Sequence, residues 1–402
     1  MSAELVSTEQ ALAYVRAAVC RYGPPELIGA ELEWPTSIVG DRPTVTQFAE
    51  ALGPHTPPGL RPTSSQPLGA GSRVSIEPGG QVELASDVHR SARELCDALA
   101  ADHAELGRLL AMNGIEMHGG AMDLTRPPRR ILEQPRYRAM EEHFARISPL
   151  GTVMMCNTAA VQVSVDCGVD EDEAAQRWAL LHEAGPALAA AFADSPQLPH
   201  CFPPGEGWAS QRLRTWLELD PARTCFDREW SPRDGSFLDG YARWVLAAPL
   251  LCVRRSGPDW SAPDLSFRDW IEDSVDQLPR PRIDDLDYHL TTMFPPVRAC
   301  GHFEVRYLDA QPGGLWRVPI AAIDALLRSP AVLEQARGLA AGTSGRWHAA
   351  ARRGLGDRGL REAATDLLEL AARHAGDDGF GEDLTAAALR CKRGLRPSEE
   401  DQ

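Results

Sequence analysis

The chain has 402 residues and a single lysine, Lys392; the other basic residues in its Lys+Arg total of 41 are arginines. No G-x-x-x-x-G-K-[ST] loop is present, which excludes a P-loop nucleotide site. Any clamp for a phosphate or carboxylate must therefore use arginine or backbone N–H groups. G-x-S-x-G and H-E-x-x-H are also missing, and His118 and His302 stand alone, in keeping with structural or surface roles. The nine cysteines (Cys20, Cys96, Cys156, Cys167, Cys201, Cys225, Cys252, Cys300 and Cys391) include no C-x-x-C pair. This argues against zinc ribbons and thioredoxin motifs and for a reducing compartment. No apolar run approaches the ~20 residues of a membrane span. The N-terminus carries Glu4 and Glu9 and lacks the basic start of a secretory signal, so the expected location is cytoplasmic, with no membrane partner. Basic charge is short too. The net charge of −16 disfavours nucleic acid as a partner.

What is present suits a globular fold: 43% hydrophobic and 24% charged residues. The arginine-for-lysine bias with abundant alanine fits a GC-rich coding sequence. No repeat is visible, and the chain is expected to form one domain over 1–402, mostly helical from about 319. Residues 53–72 and 195–208 are rich in Pro, Gly and Ser and are expected to be long loops, candidates for lids. Apolar spacing predicts a helix over 87–112, with Ser86 as N-cap and Gly114 beyond its end. A second is expected over 171–194, capped by Asp170 with Glu173 three residues later and kinked at Pro186.

Four segments alternate with period two. IGAELEW sets Ile28, Ala30, Leu32 and Trp34 against Glu31 and Glu33. VSIEPGGQVEL sets Val74, Ile76 and Val82 against Ser75, Glu77, Gln81 and Glu83, with Pro78-Gly79-Gly80 as a turn or a bulge. VQVSVD opposes valines to Gln162, Ser164 and Asp166; HFEVRYL opposes Phe303, Val305 and Tyr307 to Glu304 and Arg306. Such alternation implies sheets with one apolar and one polar face, and long helices to cover the apolar one: an α+β fold.

Taken singly, each glutamate-bearing face is the wet side of an antiparallel strand. If the strands share a sheet, Glu31, Glu33, Glu77, Glu83 and Glu304 converge. Carboxylates ~4 Å apart repel by about 4 kcal/mol per pair at an effective dielectric near 20, so such a cluster needs cations. Oxygen ligands select Mg²⁺, Mn²⁺ or Ca²⁺. Carboxylates with arginine suit phosphoryl transfer. A glycosidase needs one carboxylate pair and a sugar platform, and the sequence offers no obvious platform.

At these residues the sequence resembles the glutamate–cysteine ligase family, its plant-type and bacterial branch. IGAELEW is similar to the family's E-x-E strand, and VSIEPGGQVELAS to S-x-E-P-G-G-Q-x-E-L. MMCNTAAVQVSVD is similar to M-M-x-x-T-x-x-V-Q-V-N-x-D, and DPARTCF to D-x-x-R-T-G. LTTMFPPVRACGHFEVRYLDAQP is similar to L-T-T-x-F-P-x-V-R with its following strand. RYRAM at 136–140 and the stretch from Tyr241 to Pro249 fit weaker patterns. The motifs stand in family order over 28–312. The details of MMCNTAAVQV and the arginine-rich composition resemble actinobacterial enzymes of ergothioneine biosynthesis.

The resemblance implies a glutamine-synthetase-like catalytic fold, a curved antiparallel funnel wrapped by helices. It implies that ATP phosphorylates the γ-carboxylate of glutamate and that the amine of cysteine displaces phosphate. It implies Glu31, Glu33, Glu77, Glu83 and Glu304 as ligands of Mg²⁺, two ions or more. Arg306, with Glu304, would be catalytic, Arg306 facing the transferred phosphoryl group. Arg223 would hold a glutamate carboxylate, Gln162 would lie near metal or nucleotide, and Thr158 and Tyr241 would line the substrate pocket. Two departures stand out: Ser164 replaces the family's asparagine, and Cys225 the glycine after Arg-Thr, where a positive φ would penalise a Cβ. A ligase using another amine, and a silent nucleotide-binding homologue, are the rival readings.

Overall fold

The computed structural model describes residues 3–61, 65–203, 207–225, 236–258, 260, 262–272, 278–376 and 379–399. Among these are eight strands: β1 (Ile28–Trp34), β2 (Thr36–Ser37), β3 (Arg73–Ile76), β4 (Val82–Ala85), β5 (Glu116–Met117), β6 (Ala160–Val165), β7 (Val297–Ala299) and β8 (Phe303–Asp309). Six form one antiparallel sheet in the order β3-β4-β1-β6-β8-β7, and β2 pairs with β5. The sheet is open, with β3 and β7 at its edges, and the α+β architecture is the expected one.

The alternation sorts the two faces. Ile28, Leu32, Val82, Leu84, Val161, Val163, Phe303 and Val305 are buried in one hydrophobic cluster that runs from Leu5 to Cys391. Leu95 and Leu99 from helix Ala92–Ala111, Leu188 from Gly185–Ala191, and Ile320 and Ile323 from Arg317–Leu327 complete that layer.

Helix starts differ from expectation where the sheet holds on longer. Residues 86–89 still pair with β1: Ser86 N–H donates to the Ala30 carbonyl, and His89 and Ile28 exchange backbone bonds. The Ser86 hydroxyl accepts from Ala30 N–H at 3.0 Å. The helix therefore starts at Ala92, and its N-cap is Ser91, accepting from Glu94 N–H. Over 171–194 the predicted cap is present, with Asp170 accepting from Glu173 N–H and Glu173 accepting from Val169 N–H. Gly185-Pro186 goes further than a kink and divides the segment into Glu171–Glu183 and Gly185–Ala191. From Arg317 the described residues form five α-helices, the last of which, Gly381–Arg393, exposes Lys392.

The Pro78-Gly79-Gly80 interruption is both of its expected alternatives. Gly80 N–H donates to the Glu77 carbonyl and Glu77 N–H to that of Gln81, each at 2.8 Å. Gly80 has φ +89°. A tight turn followed by a left-handed bulge residue joins β3 to β4. Residues 62–64 and 204–206 of the two expected loops lie outside the described residues, as does Phe226 of DPARTCF. The described parts are tied down: Ala70 and Ser72 N–H donate to Asp102 at 2.7 and 2.8 Å, and Ser195 N–H donates to the Ala209 carbonyl.

Candidate active site

Register brings the polar side chains into a row across the sheet. Glu33 pairs with Glu83, Glu83 with Ser75, and Glu31 with Gln162. Ser164 pairs with Glu304, and Glu304 with Arg298. The β6–β8 register shifts between Val161 and Val163, opposite Arg306, a device that re-aims side chains beside functional sites. Glu77 joins the row from the β3–β4 turn.

This face is not the wet side of a sheet. Helices Pro135–Ala145, Gly151–Asn157 and Gln211–Leu219 cover it with Tyr137, Met140, Met154, Met155 and Trp216, and Phe294 adds to the wall. Between wall and sheet lies a cavity of about 210 Å³ that Glu31, Glu33, Glu77, Glu83, Gln162 and Arg306 line, with Thr158, Arg136 and Arg298. Neither expected lid loop borders it among the described residues.

The carboxylates fall into two electrostatic classes. Burial, then the neighbouring Glu83 and Glu304, raises Glu31 to about 8. Burial raises Glu33 to about 7, and burial with the charges of Glu33 and Glu31 raises Glu77 to about 8. Glu83 is pushed well above the usual range by burial and by Glu77. Glu304 is the opposite case: burial opposes its charge, but Arg298 and Arg306 outweigh it and bring Glu304 to about 2. Its Oε1 accepts from Arg298 Nη2 at 3.0 Å and its Oε2 from Arg306 Nη1 at 2.8 Å, and Arg298 Nε lies 2.8 Å from Oε2 as an ion pair. Expected as a metal ligand, Glu304 has both oxygens engaged by guanidinium groups.

The donor chemistry on the other side fits a hard cation. Gln162 Nε2 donates to Glu31 and Glu33 at 3.0 Å, while its buried Oε1 has no partner. Among the described residues no three acidic, His or Cys side chains close into a cage.

Behind the cavity Arg42 fixes the turn. Its Nη1 donates to the carbonyls of Gly79 and Cys156 at 2.5 and 2.9 Å. Gly79 is obligatory there, since a Cβ would lie 2.2 Å from the Cys156 oxygen.

Two expected pocket residues lie elsewhere. Arg223 is fully buried, and its guanidinium is used up by Asp220 (2.6 Å), Thr292 (3.2 Å) and the Pro249 carbonyl (2.7 Å). No fork is left for a substrate carboxylate. Arg223 anchors the 292–294 segment, and its carbonyl accepts from Phe294 N–H. Tyr241 is buried with its ring against Trp178 and Trp244, outside the cavity lining. Thr158 does line it, though its hydroxyl donates to the Met154 carbonyl at 2.7 Å. Cys225 has φ −109°, so replacing glycine costs no left-handed strain. The residues that sequence reasoning missed are Arg298 and Arg136. Both lie within motifs quoted above, but β7 is three residues long, too short for periodicity to show.

An open antiparallel sheet with a covered row of carboxylates edged by arginines has the side chains that phosphoryl-transfer enzymes use. The chain belongs to Glutamate-cysteine ligase family 2, which matches residues 28–400. It is 35% identical over 384 residues to the glutamate–cysteine ligase EgtA of Mycolicibacterium smegmatis, covering 92% of this chain and 86% of that protein. To EgtA of Mycobacterium tuberculosis it is 33% identical over 409 residues, covering 99% and 90%. The crystal structure of the Francisella tularensis glutamate–cysteine ligase in complex with AMP matches with TM-score 0.54 at 14% identity, over 94% of this chain and 84% of that one. That likeness bears on the fold alone. No helix among the described residues is long and apolar enough to cross a membrane.

Proposed function

We propose that the protein joins the γ-carboxylate of L-glutamate to the amine of L-cysteine at the expense of ATP, giving γ-glutamylcysteine, ADP and phosphate. The observation that carries this reading is the division of one sheet face into four desolvated carboxylates and an arginine pair on Glu304. In the first step a γ-carboxylate oxygen attacks the γ-phosphorus of ATP and ADP leaves. In the second the cysteine amine attacks the acyl carbon, phosphate leaves, and the amine loses its proton.

Arg306 and Arg298, both held by Glu304, neutralise charge that grows on the transferred phosphoryl oxygens. Arg306 is steadied over Trp216, 5.6 Å from the ring centre. Glu31, Glu33, Glu77 and Glu83, with Gln162 Oε1, are the donor set for Mg²⁺. The bound cation supplies positive charge against the nucleotide phosphates. The covering helices exclude water, which protects an acyl phosphate from hydrolysis. Similarity to the two EgtA proteins supports a place in ergothioneine biosynthesis.

The test is ADP release from ATP and glutamate across cysteine, alanine and 2-aminobutyrate, with a mass spectrum of the product. Cysteine should lead and γ-glutamylcysteine should appear. Equal turnover with alanine would remove cysteine as the acceptor, and ATP binding without ADP would remove the ligase reading.

A further inference from the structure

The four carboxylates of the cavity are not held alike. Glu31 and Glu33 each accept from Gln162 Nε2 at 3.0 Å. Glu83 accepts from the Ser75 hydroxyl at 2.6 Å. The Glu77 carboxylate has no hydrogen bond or ion pair of its own among the described residues. It also stands between strands, in the turn from β3 to β4. No side-chain donor sets its direction, so the backbone of the turn must.

Two side chains hold that turn from behind. Arg42 Nη1 donates to the Gly79 carbonyl, and the Thr36 hydroxyl donates to the Gly80 carbonyl, each at 2.5 Å. Both come from one short hairpin. Ile38 and Asp41 exchange backbone hydrogen bonds at 2.9 and 3.0 Å around Val39 and Gly40. Val39 has φ +48° and Gly40 φ +82°. A β-branched residue is disfavoured in the left-handed region, and such a turn persists where its surroundings impose it. Here Arg126 joins the two arms, its Nη1 donating to the carbonyls of Thr36 and Asp41. The arms keep the spacing at which Thr36 and Arg42 reach consecutive carbonyls.

The same guanidinium reaches the cover of the cavity. Arg42 Nη1 also donates to the Cys156 carbonyl at 2.9 Å, and Nη2 to Asn157 Oδ1 at 3.1 Å. Cys156 and Asn157 end helix Gly151–Asn157, whose Met154 and Met155 line the cavity. Asp123 balances the charge, 3.5 Å from Arg42 and 2.8 Å from Arg126. All five of these polar side chains are buried, and Arg42 does not line the cavity. A planar fork spans turn and cover at once, which a point donor does not.

We propose that Arg42, together with Thr36, is a positioning residue for the cation site. It aims the Glu77 carboxylate and fixes the spacing between that carboxylate and the cover. The inference rests on the ligase reading above, in which Glu77 is a ligand of Mg²⁺. Arg42 touches neither metal nor substrate and acts through Gly79 and Gly80.

Mn²⁺ serves as the probe, titrated into the full chain with a non-hydrolysable ATP analogue, free Mn²⁺ being read by electron paramagnetic resonance. Arg42→Lys keeps the charge and loses the fork. It should raise the Kd for Mn²⁺ by roughly ten- to hundredfold, the usual effect of removing a partner behind a metal ligand. Thr36→Val keeps the shape and removes the donor, and should raise it by about three- to tenfold. Thr36→Ser keeps the donor and should bind as the wild type does. A packing role predicts the reverse order for valine and serine. In a Glu77→Gln background Thr36→Val should remove no further affinity, since both changes act at one carboxylate.

Arg42 and Thr36 lose this role if the variants melt at lower temperature with Mn²⁺ affinity unchanged, or if the Thr36→Val and Glu77→Gln losses add in full. Should Arg42→Lys fail to fold, the Thr36 pair decides alone. Unchanged affinity in variants of an active enzyme overturns the positioning role and spares the ligase reading. A wild type that binds Mn²⁺, with the variants weakened as stated, but forms no product with any amine does the opposite. A wild type that binds no Mn²⁺ overturns both.

Discussion

The two halves of one sheet face use the same residue in opposite ways. On β1, β4 and the β3–β4 turn, Glu31, Glu33, Glu77 and Glu83 are half-buried at the solvent-accessible surface and largely desolvated, no ion pair with any of them is found among the described residues, and their proton affinities rise. On β7 and β8, Glu304 is more deeply buried, yet two guanidinium groups hold it ionised. Burial is common to both halves, so the neighbour decides. One half holds repulsion among its own carboxylates; the other is settled by the chain itself.

The contrast breaks most sharply under neutralising substitutions. Glu31→Gln and Glu304→Gln should each lower turnover by about a thousandfold. Their effects on metal-free stability should have opposite signs. Glu304→Gln leaves Arg298 and Arg306 facing no charge and should cost about 3 kcal/mol in urea unfolding. Glu31→Gln removes a repelling carboxylate and should stabilise the metal-free protein at pH 8. A loss in both variants would end the comparison.

Arg223 belongs with the settled half. Arg223→Ala should destabilise by about 3–5 kcal/mol, since it strands buried Asp220. Arg223→Lys should lower the melting temperature and the activity together. A tenfold rise in the Michaelis constant for glutamate at unchanged melting temperature would return Arg223 to the substrate site.

Acidity sharpens the comparison further. Glu33 at about 7 and Glu31 and Glu77 at about 8 lie above their unfolded values. Their contribution is complete below the unfolded value, ~4.3, and is lost as pH rises through the folded ones. Glu304, at about 2, contributes above ~4.3 and loses that contribution only as pH falls through 2. Metal-free thermal melts should therefore decline from pH 5 to 8.5, and Mg²⁺ with ATP should flatten the decline. A rise over that window would contradict the assignment. Smallest is Gly80→Ala, which places a Cβ at φ +89° and should cost about 1 kcal/mol by chemical unfolding.

Much of this was legible in the chain because period-two alternation survives burial. β1, β3, β4, β6 and β8 fall where Ile28, Val74, Val82, Val161 and Phe303 announce them. Three kinds of feature were not legible. β7 is too short to alternate, which hid Arg298. Ser86 has the chemistry of an N-cap, but its backbone was already committed to β1. Arg223 looks like any substrate clamp until Asp220, Thr292 and Pro249 are seen to take its donors, and although Asp220 is near in sequence, spacing says nothing about Thr292 and Pro249.

The solitary Lys392 has a practical consequence. It is exposed on the last helix and does not line the carboxylate cavity. Amine-reactive dyes or surfaces will thus attach only there and at the chain's N-terminus, leaving the reaction chamber free to be watched. By the same token, nucleotide reagents that mark ATP sites by acylating a lysine will find no amine side chain to mark.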